Sequence, residues 1–126
     1  VVASLGVDSG YVPYTAYCAK KSYIEKNPEI IQSFTNAIQK GLDYVNSHTS
    51  AEIAAVIAPQ FTETDMDTLT KIVERYKSQD TWKGDTIFTE ESFNLLTDIL
   101  KQAGELNEDV PYDKLVDTSF SEKSVK

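Results

Sequence analysis

The sequence predicts a mainly α-helical chain with a short two-strand β element at its start. Two observations carry that reading. Hydrophobic spacing changes after Lys21 from compact Val- and Tyr-rich runs to helical periodicity, and start and stop signals bracket four amphipathic segments. A third observation bounds it: 126 residues, 40% of them hydrophobic, suffice for one core and are too few for two domains.

Residues 1–5 form an apolar run stopped by Gly6, and residues 11–19 are rich in Val, Tyr and Thr, so both are expected as strands. Between them, Gly6-Val7-Asp8-Ser9-Gly10 has the chemistry of a tight turn. Asn27-Pro28-Glu29 is a helix start: Asn as N-cap, Pro where a missing N–H costs nothing, and an acid at the positive end of the dipole. Ile30, Ile31, Phe34, Ala37, Ile38, Leu42 and Val45 then share one face, which predicts a helix over 28–47. Thr49 with Glu52 is a capping-box pattern ahead of Ile53, Val56 and Ile57, and Pro59 ends that helix. Thr62 with Asp65 predicts a third start, with Met66, Leu69, Ile72, Val73 and Tyr76 on one side. Residues 78–88, with Trp82 and Gly84, are less regular. Thr89 opens the last long helix, with Phe93, Leu96, Ile99, Leu100 and Ala103 inward and Gly104 suited to cap its end. A short turn is expected around 112–116, and the Ser- and Lys-rich end is expected to fray.

As a complete fold this inventory is short of strands, because two short strands make only a marginal hairpin. The helices either form a bundle with a hairpin attached or cover a sheet whose other strands lie elsewhere. The opening Val1-Val2-Ala3-Ser4-Leu5 reads as the continuation of a longer chain, so an incomplete domain is expected.

Composition excludes several function classes. A net charge of −8 argues against a phosphate-binding surface for DNA or RNA and against docking on anionic membranes. No uncharged stretch approaches the roughly 18 residues that span a bilayer. The single cysteine, Cys18, is expected as a buried structural thiol. The single histidine, His48, follows a helix end, has no nucleophile tied to it by a motif, and cannot supply a multi-histidine metal site. Acidic pairs at helix starts, Glu90/Glu91 and Asp65/Asp67, suit dipole and capping roles. Neither catalysis nor a cofactor is indicated.

Two features suit ligand binding. Ser4 to Tyr11 places small residues and backbone groups where a ligand's polar atoms can approach, although turn geometry alone also explains that composition. Tyr11, Tyr14, Tyr17, Tyr23 and Trp82 could line a pocket or serve as ordinary core and rim.

Several runs together resemble the last third of a periplasmic-type solute-binding protein. They are Val1-Val2-Ala3-Ser4-Leu5-Gly6, Gly10, Val12-Pro13-Tyr14-Thr15-Ala16, Ala19-Lys20-Lys21-Ser22-Tyr23 and Asn27-Pro28-Glu29. Later landmarks agree: Ile57-Ala58-Pro59, Glu74-Arg75-Tyr76-Lys77, Asp80-Thr81-Trp82-Lys83, Ala103-Gly104-Glu105-Leu106 and Val110-Pro111-Tyr112. The chain is similar to the ABC-transporter family that includes nitrate-, sulfonate- and taurine-binding proteins and binders of thiamine-pyrimidine precursors.

The resemblance implies a non-enzymatic, two-lobed clamp with no cofactor, of which residues 1–126 are the C-terminal portion, part of an α/β type II lobe. Residues 1–21 would be hinge-crossing and sheet strands, and residues 22–126 the helical cover of the first lobe. It places Gly6, Asp8, Ser9 and Gly10 near the hinge, and Tyr11 and Tyr14 as walls of the ligand site. The implied partners are a small polar or aromatic solute and ABC permease subunits. The implied location is extracytoplasmic, periplasmic or tethered by a lipid anchor outside this chain. Lacking its neighbours, the chain is expected to form a homodimer or swap strands. The alternative from the residues alone is a self-contained helical protein-interaction domain.

Overall fold

The computed structural model describes residues 8–125, and the expected strand at residues 1–5 and the glycine at position 6 lie outside them. The elements are α1 (Lys21–Lys26), α2 (Pro28–Ser47), α3 (Ser50–Ile57), a 3₁₀ turn (Ala58–Gln60), α4 (Met66–Ser78), α5 (Glu90–Gln102), α6 (Tyr112–Leu115) and α7 (Ser119–Ser124). They divide into two compact units: Ala37–Asp85, and the described residues up to Asn36 together with those from Thr86 onward. The mainly α expectation holds.

The Ala37–Asp85 unit is built on a pair of capped helices. The Thr49 N–H donates to the Glu52 carboxylate at 2.8 Å while the Glu52 N–H donates back to the Thr49 hydroxyl at 3.3 Å, the reciprocal box expected from sequence. With that start in place, Ile53 and Ala54 on α3 meet Leu69 and Val73, one turn apart on α4, in an apolar core flanked by Tyr44, Val45, Ile57, Ala58 and Trp82. Lys77 of α4 donates to the carbonyls of Val45 (2.9 Å) and His48 (2.6 Å), satisfying groups that the end of α2 leaves without helical partners. Helix α4 ends with Asp80 in the left-handed region (φ 51°), the Asp80 and Thr81 N–H groups donating to Lys77 O and Tyr76 O.

The other unit has a different interior. On α5, Phe93 is buried between Phe88 and Tyr112, with edge-on ring contacts at 6.1 and 5.6 Å, and the Tyr112 hydroxyl donates to Phe88 O. Thr89 caps α5, accepting from the Ser92 N–H. Gly104 (φ 76°) closes it: the N–H groups of Gly104 and Glu105 donate to Lys101 O and Leu100 O, as a Schellman turn requires.

Five expectations are corrected. Residues 11–19 form no strand; the described residues offer no neighbouring strand, and an isolated extended run has no ladder to stabilise it. Cys18 is therefore exposed, not buried. Helix α4 starts at Asp65 instead of after Thr62, because the Asp65 carboxylate accepts from both the N–H and the hydroxyl of Thr68. Met66, Ile72 and Tyr76 on α4, and Ile99 and Ala103 on α5, are exposed, since burial concentrates on Leu69, Val73 and Phe93. Finally, the end expected to fray carries a short helix among the described residues, α7, with Ser121 buried.

Candidate functional site

Of the residues expected near a ligand, Asp8, Ser9, Gly10, Tyr11 and Tyr14 lie on an irregular arm, 8–20, in the same unit as α5, and Gly6 lies outside the described residues. Asp8, Ser9 and Gly10 are exposed. Gly10 adopts φ 74°, a conformation L side chains rarely take, and its carbonyl accepts from the Val12 N–H at 2.9 Å; the first two residues of the expected 6–10 turn lie outside the described residues. A Cβ at Gly10 would stand 3.5 Å from Leu95 Cδ2, which shows that the arm passes against α5 at this point. Its second anchor is Tyr17, whose ring meets Phe34 of α2 edge-on at 4.9 Å and 80°. Between the anchors Tyr11 is 67% exposed and Tyr14 99%. The chain thus brings Asp8, Ser9, Gly10 and Tyr11 into one short stretch and holds Tyr14 out in solvent, offering an aromatic face and a hydroxyl. Tyr23 is exposed on α1, whereas Trp82 belongs to the Ala37–Asp85 unit, packed edge-on against Tyr76 at 5.4 Å.

A second surface feature of the unit that holds the arm escaped the sequence. One stripe of α5, with Glu90, Asn94, Asp98 and Lys101, faces Pro111 and Tyr112 across an open groove of about 430 Å³. The i, i+4, i+8 spacing marks a stripe, but only the return of the chain at 109–112 makes it a groove. Lys101 and Asp109 form an ion pair at one side. The hydrogen bond from Lys101, and then its charge, hold the Asp109 carboxyl below its ordinary range, and the same bond raises Lys101. Burial first, then the charges of Glu90 and Glu122, push the Tyr112 phenol up. Among the described residues, none of those expected to bind ligand lines this groove.

His48 stacks on Tyr44 with ring centroids 3.7 Å apart, and its Nδ1 lies 2.9 Å from Tyr44 O and 3.0 Å from the Ser47 hydroxyl. A carbonyl at that distance assigns the proton to Nδ1. The Ser47 hydroxyl donates to Asp43 O at 2.7 Å, so the Ser47–His48 pair closes a helix end. Among the described residues no group of three or more His, Cys, Asp or Glu is placed to hold a metal, and no helix is long and apolar enough to cross a membrane.

Residues 2–51, which span the arm, α1 and α2, match the family described as NMT1/THI5 like. All six residues expected at the ligand, from Gly6 to Tyr14, fall inside that match. Over 123 residues, 98% of this chain, the sequence is 39% identical to the Bacillus subtilis (strain 168) protein named "Putative binding protein YtlA". The chain is similar to this binding-protein type over nearly its whole length. It spans 37% of the length of that relative. No solved structure matches it.

Proposed function

We propose that this chain is part of the substrate-binding component of an ABC importer, which captures a small polar or aromatic solute and hands it to permease subunits. The observation that carries the reading is the 39% identity, sustained over nearly the whole chain, to a protein named for binding. In this reading residues 1–126 are the C-terminal portion of a two-lobed protein. Residues 1–21 cross the hinge and join a sheet, and residues 22–126 cover an α/β lobe of the type II periplasmic-binding-protein class. Supplying the missing sheet would give residues 11–19 the ladder they lack here, and would cover Cys18.

Gly6, Asp8, Ser9 and Gly10 then stand near the hinge, and Tyr11 and Tyr14 present rings and hydroxyls to the solute. Gly10 supports that role, since its positive φ lets backbone groups be approached without a side chain intervening. The protein works outside the cytoplasm, periplasmic or held by a lipid anchor, as is typical of the family. Without its remaining chain, the arm of this segment pairs with a second copy, as a homodimer or by strand exchange.

The test is a thermal-shift series on the full-length protein with nitrate, taurine, other sulfonates and hydroxymethylpyrimidine compounds. A true solute at about 100 times its Kd stabilises by about 2.7 kcal/mol, a readily measured rise in Tm. A flat response to every class would count against the reading.

A further inference from the structure

Helix α7 has six residues, far fewer than a helix needs to persist alone in water, so what it docks on holds it in shape. Those ties are polar. The Ser121 hydroxyl donates to Thr86 O at 2.9 Å. Gln32 Nε2, on α2, stands 2.9 Å from Phe120 O, 3.0 Å from the Ser124 hydroxyl and 2.9 Å from Asn36 Oδ1. The Ser124 hydroxyl in turn lies 2.7 Å from Asn36 Oδ1 and 2.9 Å from Phe120 O. Gln32 therefore presents two amide protons to three acceptors, and its own Oε1 is buried with no hydrogen-bond donor.

We propose that α7 is a strap that opens and closes as a unit, with Gln32 as its latch, without unfolding the α3–α4 core. The docked state leaves the Gln32 carbonyl oxygen unsatisfied, and opening returns that atom to water, which offsets part of what the three donor contacts contribute. No large apolar side chain of α7 is fully buried to oppose release; its buried residue is Ser121. Opening uncovers Gln32 and Asn36 on one stripe of α2 together with the Thr86 carbonyl.

Amide hydrogen exchange on the intact chain tests this, read at Glu122 and Val125, whose N–H groups bond to Thr118 O and Ser121 O. Leu69 and Val73 report the core. In the wild type the α7 amides should exchange roughly a hundredfold faster than those of Leu69 and Val73, as a local opening below the global transition does. Gln32→Glu replaces the donor facing three acceptors by a carboxylate and should speed the α7 amides roughly tenfold further, leaving the core rates unchanged. Ser121→Ala, which removes the tie to Thr86, should act in the same direction. The proposal is overturned if the α7 amides exchange at the rate of Leu69 and Val73, or if neither variant changes them.

Discussion

In the Ala37–Asp85 unit the buried cluster is Ile53, Ala54, Leu69 and Val73, a dry contact between two helices whose starts are capped by Thr49 and Asp65. In the other unit the buried groups are Phe93 and two serines, and its ties are hydroxyl and amide contacts: Tyr112 to Phe88, Ser121 to Thr86, Gln32 to α7. Both units expose apolar side chains, Val56, Phe61 and Ile72 among those of the Ala37–Asp85 unit, but exposed aromatics concentrate in the other, at Tyr11, Tyr14, Tyr17, Tyr23 and Phe34. The two units differ in how they are held together. Close-packed apolar contact fixes one arrangement, whereas polar ties and uncovered aromatics suit a surface that meets other molecules.

Substitutions should divide along that line. Leu69→Ala, at a side chain only 2% exposed, should cost about 3 kcal/mol in chemical denaturation, the usual result of a cavity in a close-packed site. A loss below about 1 kcal/mol would mean the contact is looser than its burial implies. Tyr112→Phe should cost about 1 kcal/mol, since it keeps the ring on Phe93 and removes only the bond to Phe88 O. Gly104→Ala should cost about 1 kcal/mol through backbone conformation alone, because nothing lies within 4 Å of the added Cβ and the φ of 76° is what resists it. Tyr14→Ala should leave stability within about 0.5 kcal/mol, its ring being almost wholly in solvent.

The caps add a pH dependence to the Ala37–Asp85 unit, beside that of the Lys101–Asp109 pair in the other. Hydrogen bonds from the Thr49 and Thr68 backbones, and then from their hydroxyls, lower the carboxyls of Glu52 and Asp65 below their ordinary 4.5 and 3.8. A lowered folded-state value stabilises above the ordinary value and loses that contribution as pH falls through the lowered one. Unfolding midpoints followed by helical circular dichroism should therefore decline below about pH 4.5, and Glu52→Gln should flatten part of the decline.

Local chemistry explains which parts were legible in the sequence. The capping box at Thr49, the span of α2, the stop at Pro59 and the Gly104 turn depend on residues within one helical turn of each other, and all are found as read. The failures involve partners distant in sequence. The strand at residues 11–19 depends on neighbours that the described residues do not supply, and Cys18 follows that segment into solvent. Helix α7 looked like a fraying end because its stabilising partners, Gln32 and Asn36, lie some 88 residues away in the chain. Of the candidate site, the turn at Gly10 was legible from composition, and the exposure of Tyr14 was not, since an isolated tyrosine carries no sign of whether its ring is covered.

The claim that most needs testing is that the arm bearing Tyr11 and Tyr14 meets the solute. Isothermal titration of the full-length protein with the solute that raises its Tm, repeated on Tyr14→Ala, tests it directly. Loss of one stacking or hydrogen-bonding wall should weaken Kd by roughly tenfold while the Tm of the unliganded protein stays unchanged. An unaltered Kd would contradict the placement of the ligand at this arm.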